Sequence, residues 1–452
     1  MPNNIIIRIF IFILIGYGIL TAQETGSSEI EKKVDDYLAP LLAEDLISGS
    51  ILIAKGGQIL ISKGYGIANR EYDIKCAAET KYRLASCSKQ FTSMAIMMLE
   101  EKGLLSTQDT LSKFIPDYPN GNKITIHHLL THTSGVINYS SLPDHYETWT
   151  KSHTIQQVID RFKNKPLNFE PGEKFEYSNS GYVLLALIIE KVSGKPYEEF
   201  LTENIFKPLG MNDTGIDTHT KIIKDRAIGH YNSGDGITQA DYLYVQYTNG
   251  AGSIYSTVND MYKWDKALYT DKLISRKSIE KMFTPYKDTY AYGWFVRDAF
   301  GKKLIEHRGG INGFLTMIQR FVDDDVVVIS LFNYVSPFVN EINRSLAAIA
   351  LGESYNPILI PEGIELHEDV LKQYAGKYKL DENYEITISF DKGKLFYSDP
   401  DINLAALIAQ NNSKFFLRQA VALVHFLKDI EGNVNRIVIQ QNENQFPCMK
   451  IE

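Results

Sequence analysis

Cysteine is scarce in this chain. Its 452 residues include three, Cys76, Cys87 and Cys448. An odd count this low excludes a disulfide framework, and the spacing forms no metal-ligand cluster. Long runs of like charge, low-complexity tracts and internal repeats are also missing. The net charge is −8 with the signs interspersed, which excludes the basic face of a nucleic-acid binder. Two common hydrolase signatures are absent. No serine has glycine at both −2 and +2, so there is no nucleophile elbow of the G-x-S-x-G type, and there is no H-E-x-x-H zinc motif. The opening run of apolar residues is short. Arg8 is followed by twelve uncharged, mainly apolar residues (9–20) and then Thr21-Ala22, where a span needs ~20. This reads as a secretory signal peptide over residues 1–22, cleaved near Ala22. No cysteine follows closely enough for a lipoprotein anchor. The expected location is secreted or periplasmic, with no stable membrane span after cleavage.

What remains is the composition of a folded protein, 44% hydrophobic and 23% charged, with length enough for two or three domains. An amphipathic helix is predicted over 28–44. Two strands, 50–55 and 58–66, flank Gly56-Gly57, a hairpin signal. Residues 83–282 read as mostly helix and loop, including SKQFTSMAIMMLEEKG and YVLLALIIEKVSG, each apolar at helical spacing and closed by glycine. Strands return from about 291, and a helix over 337–351 closes this part. Strands at both ends of a helical middle predict one sheet built from distant segments with a helical part inserted. Residues 353–365, with two prolines, read as a linker. Beyond it the hydrophobic period becomes two, which predicts an antiparallel meander closing as a small barrel. The expected domains are 28–352, the linker 353–365, and the barrel 366–452.

The stretch LASCSKQFT, residues 84–92, places Ser86, Cys87, Ser88 and Lys89 together. S-x-x-K alone is weak and occurs three times, at Ser86, Ser278 and Ser389. Ser389 and Lys392 straddle a predicted hairpin turn, and Ser278 and Lys281 lie on an unremarkable helix. Ser86 begins a strongly apolar helix, where free N–H groups favour a developing negative charge. Lys89 lies one turn on, on the same face. The bland alternative is that Ser86 only caps the helix. Tyr177-Ser178-Asn179 lies in a Gly/Ser loop before a buried helix, and Y-x-N also matches at Tyr118 and Tyr247. His307-Arg308-Gly309 is the single H-x-G in the chain.

The ordered set S-x-x-K, Y-x-N, H-x-G resembles the serine β-lactamase and penicillin-binding-protein superfamily. It is most similar to the branch of class C β-lactamases, D-alanyl-D-alanine carboxypeptidases and esterases. TIHHLLTHTSGV (125–136), GAGSIYSTVNDMYKW (250–264) and HRGGINGF match that branch in order, over about residues 30–350. LKQYAGKY (371–378) resembles the opening of the lipocalin-like module appended to such hydrolases. The resemblance implies an α/β (α+β) β-lactamase-like fold, with an antiparallel sheet flanked by helices, an inserted helical subdomain and a C-terminal all-β barrel. It implies neither metal nor organic cofactor, and a small-molecule or peptide substrate. It makes Ser86 the acyl-forming nucleophile, with Lys89 beside it. Tyr177 becomes the base partner, its phenol depressed by nearby cations, and Asn179 a hydrogen-bonding partner of Lys89 or substrate. His307 binds a substrate carboxylate or assists Tyr177, and Ser86 and Gly310 offer oxyanion N–H groups. Cys87 is expected to pack into the core. Arg308 either favours anionic substrates or faces solvent. His127, His128 and His132 are expected to pin loops rather than hold a metal. The expected function is an exported serine hydrolase of D-amino-acid peptides or small esters and amides. The alternative is a weak β-lactamase or a non-catalytic penicillin-binding sensor. The sequence sets no oligomeric state.

Overall fold

A computed structural model describes residues 28–452 except 233–235, 401, 403, 442 and 443. The predicted signal segment lies outside the described residues. Among them, no helix is long and apolar enough to cross a membrane. Contacts divide the chain into two compact units. One comprises residues 28–229, 240–334 and 343–356, and the other 230–239, 335–342 and 357–452.

The first unit opens with helix α1 (28–43). Strands β1 (Gly49–Lys55) and β2 (Gln58–Tyr65) follow as a hairpin. Gly56 and Gly57 have φ of +59° and +77°, the doubly left-handed turn whose twist suits a two-residue hairpin. Four further strands complete the sheet: β3 (Phe295–Ala299), β4 (Lys302–Ile311), β5 (Phe314–Phe321) and β6 (Val326–Phe332). The order is β3-β4-β5-β6-β1-β2, antiparallel throughout, so the N-terminal hairpin joins strands from the far end of the unit. β4 runs through the double glycine to Ile311. Its pairing with β3 ends at Phe295–Glu306, whereas residues 307–311 stay paired to β5 alone. One edge of that stretch therefore has no strand partner.

Between the sheet segments lie α2 (Lys89–Glu101), α3 (Asn179–Ser193), α4 (Val258–Ala267) and α5 (Arg276–Met282). Residues 89–99 of α2 and 180–189 of α3 are buried all round, the pattern of helices inside a core rather than on a surface. Phe91 of α2 meets Trp264 of α4 at 4.4 Å between rings, and Tyr182 of α3 donates to the Leu130 carbonyl at 2.9 Å. Each such buried apolar side chain stabilises by roughly 1.5–3 kcal/mol, which holds the start of α2 and its neighbours firmly.

In the second unit, eight strands from β7 (Gly376–Asp381) to β14 (Asn444–Lys450) form a closed antiparallel barrel in sequential order. Tyr378–Lys450 pairing closes it, and closure removes the sheet edges. Alternate residues fill the interior, among them Ile386, Ile388, Leu395, Tyr397, Val424 and Phe426, as the period-two pattern requires.

Candidate active site

Ser86 sits in a tight turn. Leu84 donates its N–H to the Ile254 carbonyl at 2.8 Å, and Ala85 then adopts φ +48°, a left-handed conformation costly for a residue with a Cβ. A 3₁₀ turn over Ala85–Ser88 leads directly into α2, and neither start is capped by a side chain. Ser86 is therefore not a helix cap. Ser88 is a structural residue, its hydroxyl accepting the Ile254 N–H at 3.1 Å.

The turn is held by β4. A Cβ placed on Gly309 would lie 2.3 Å from the Leu84 oxygen and 2.5 Å from Thr316 Oγ1, so only glycine lets the strand pass this close. Thr316 Oγ1 also donates to the Leu84 carbonyl at 2.7 Å. Cys87 points into the same seam, where its thiol donates to the His307 carbonyl at 3.2 Å. Burial pushes that thiol up to about 12, which makes it a packed thiol and a poor nucleophile.

Lys89 is completely buried. Its Nζ lies 3.0 Å from Ser86 Oγ, 2.9 Å from Asn179 Oδ1 and 2.9 Å from the Ala251 carbonyl. All three partners are neutral oxygens. With no carboxylate bound to it, burial drives the amine well below the usual lysine range. Asn179 is fixed in turn: its Nδ2 donates to Ser140 Oγ at 3.2 Å and its N–H to Asn138 Oδ1 at 3.2 Å.

Tyr177 reaches the Ser86 hydroxyl, and its ring lies 4.9 Å from Lys89 Nζ. Here an expectation needs correction. Burial raises the phenol well above its ordinary value, and the hydrogen bond with Ser86 only partly offsets this. The Arg308 charge lowers it too, but by less than burial raises it. Burial thus disfavours the charged form of both groups, raising the phenol and lowering the amine.

His307 is buried, with 1% of its surface exposed. Nε2 accepts from the Tyr290 hydroxyl at 3.1 Å, and Nδ1 bonds the Arg308 carbonyl at 2.7 Å. The second bond requires the proton on Nδ1. Burial, and then the Lys89 charge, push the imidazole down to about 3. The imidazole expected to bind a substrate carboxylate or to assist Tyr177 is thus buried with its charged form disfavoured, and its ring centroid lies 6.5 Å from that of Tyr177. Arg308 is exposed.

Gly310 lies on the unpaired edge of β4. A Cβ there would meet nothing nearer than 3.6 Å, so packing does not demand this glycine. It lines a pocket of about 200 Å³ with Ser86, Asn179 and Ser140, walled by the rings of Tyr139, His145, Trp149 and Tyr247. Sequence reasoning missed this wall, Ser140, the Ala251 carbonyl and Tyr290. The three loop histidines hold loops, as expected. His132 Nδ1 accepts the Ser178 N–H at 3.1 Å, and its ring packs 4.2 Å from that of Tyr177. His128 completes a capping box with Thr125, and His127 bonds Tyr292 at 2.7 Å. Among the described residues, no cluster of His, Cys, Asp and Glu is arranged to hold a metal.

Ser86, Asn179 and Gly310 line the pocket, while Lys89, Tyr177 and His307 stand behind it, and a family match accompanies the arrangement: residues 32–351 fit the family described as Beta-lactamase. The chain belongs to that family. Within it, the chain is 31% identical over 410 residues to penicillin-binding protein 4* of Bacillus subtilis, covering 84% of this chain and 90% of the relative. Among solved structures it is similar to an octameric penicillin-binding protein homologue from Pyrococcus abyssi. The TM-score is 0.65 and the identity 26%, over 93% of this chain and 99% of that one. It is also similar to the D-amino acid amidase of Ochrobactrum anthropi SV3, with a TM-score of 0.64 and 25% identity over 72% and 98%. The Beta-lactamase family comprises serine hydrolases, and this member carries a closed barrel after the family domain.

Proposed function

We propose that the protein is an exported hydrolase that works through an acyl-Ser86 intermediate on D-amino-acid amides and peptides or small esters. The observation that carries this reading is the buried Lys89 amine, bound to Ser86 Oγ and to no acid. As Ser86 Oγ attacks a carbonyl carbon, Lys89 takes its proton. The developing oxyanion is met by the backbone N–H groups of Ser86 and Gly310, each worth roughly 3–4 kcal/mol. The neutral Tyr177 phenol gives its proton to the leaving amine or alcohol, and the Lys89 ammonium then restores it. Water repeats the cycle in reverse and releases the acid. Asn179 keeps Lys89 aimed. The open edge of β4 offers backbone partners to an extended substrate, and the aromatic wall suits an apolar side chain in a small acyl group. The similarity to a D-amino acid amidase supports the same substrate class. β-Lactams rank below it as slow acylators, because His307 supplies no fixed positive charge.

The test is a panel of D-amino-acid amides, D-Ala-D-Ala peptides, p-nitrophenyl esters and nitrocefin, applied to the mature protein and to Ser86→Ala. Turnover of amides or esters, lost in Ser86→Ala together with fluorophosphonate labelling, is expected. Labelling that survives Ser86→Ala but not Cys87→Ala would move the nucleophile. N-terminal sequencing of the protein from culture fractions checks export, with Gln23 expected first. Truncation near Pro361 checks the domain boundary, with activity expected to survive in the part that remains.

A further inference from the structure

A second cavity, of about 430 Å³, lies in the same unit and shares no lining residue with the Ser86 pocket. Leu268, Ile279, Phe283, Val296 and Ile305 give it apolar walls. Arg320, from β5, also lines it and has no exposed surface. Its Nε donates to Asp265 Oδ1 at 2.5 Å. Nη1 and Nη2 are buried and make no hydrogen bond. The Tyr269 hydroxyl lies against the guanidinium, and the Tyr269, Phe283 and Trp294 rings pack 4.8, 5.3 and 5.7 Å from its central carbon.

Buried donors without acceptors are rare and costly. A guanidinium fork with one side paired and two terminal amines unmet has the geometry that takes a carboxylate in two parallel hydrogen bonds. The charges agree. Asp265 balances Arg320, while Arg276, Lys303 and Glu280 also line the cavity, leaving one positive charge over. We propose that this cavity binds a small carboxylate bearing an apolar or aromatic body, with its two oxygens on Arg320 Nη1 and Nη2 and its body against Phe283 and Ile279.

Calorimetric titration of the full chain with phenylacetate tests this, with phenylacetamide and inorganic phosphate as comparisons. Phenylacetate is expected to bind, and the other two to bind at least tenfold more weakly. Replacing the ion pair by apolar residues, Arg320→Met with Asp265→Leu, removes the fork without leaving a charge unpaired. That variant should bind phenylacetate at least tenfold more weakly, about 1.4 kcal/mol. Val296→Trp, at a half-buried wall position, fills the cavity and should abolish binding even if the double variant does not fold. Both variants should keep wild-type Ser86 labelling rates. Four results overturn the proposal: no binding, equal binding of the amide, equal binding of phosphate, or phenylacetate binding unchanged in Val296→Trp.

Discussion

Replacing Gly309 by alanine should damage the enzyme at a residue assigned no contact with substrate. The added Cβ would stand 2.3 Å from the Leu84 oxygen, where ordinary contact needs about 3.3 Å or more. Strand and turn must separate by about 1 Å. Overpacking of this kind costs about 1–3 kcal/mol, which predicts a fall in Tm of several degrees. The turn that must move carries Ser86, and Lys89 Nζ is 3.0 Å from its Oγ, so the displacement breaks the contact on which proton transfer depends. A misplacement of about 1 Å costs roughly a hundredfold in rate. Gly310→Ala is the control. Its Cβ would have 3.6 Å of clearance, so stability should stay within ~0.5 kcal/mol of wild type. Any loss of activity there would come from crowding the pocket. Thermal unfolding and second-order labelling by a fluorophosphonate measure both. If Gly309→Ala keeps both its Tm and its labelling rate, the close approach of β4 to the turn does not position Ser86.

Three more outcomes follow from the site. Lys89→Arg places a group there that cannot shed its proton, so acylation should drop by at least ~10²-fold, and recovery of wild-type rates by arginine would exclude an amine base. The His307 imidazole titrates near 6.5 when unfolded and about 3 when folded. The unfolded chain therefore binds more protons between those values. Stability should fall as pH drops from about 6.5 toward 3, by up to ~1.4 kcal/mol per pH unit for this group. Urea titrations should show a shallower acid slope in His307→Gln, and identical slopes would refute the assignment. Cys87, buried with its thiol pushed up to about 12, should resist thiol reagents in the native state at pH 8 and react after unfolding. Fast native modification of Cys87, followed by peptide mapping, would contradict its packing.

The sequence carried the outline because its signals were periodic or ordered. The Gly56-Gly57 turn, the apolar α2 and α3, and strands at both ends of a helical middle are local patterns that place the sheet and its insertion. S-x-x-K gained meaning only from Y-x-N and H-x-G in order behind it. The missing parts have no local signature. The Ala251 carbonyl that completes the Lys89 shell is backbone, and any residue could supply it. Tyr139, Trp149 and Tyr247 reach the pocket from loops whose paths depend on tertiary contacts. The titration of Tyr177 and His307 follows from burial, which no motif encodes, so the expected depression of the Tyr177 phenol failed. Gly309 was visible as a letter of H-x-G, but its reason, a strand lying against a turn more than 200 residues earlier, was not.

The register of β1 against β6 also sets a clock. Gly49 pairs with Phe332, 283 positions later (332 − 49). At about 5–20 residues per second of synthesis, the hairpin β1–β2 exists for roughly 15–55 s before its partner strand does. During that interval Ile51, Leu52 and Ile53, all fully buried in the finished sheet, have one flank unmet.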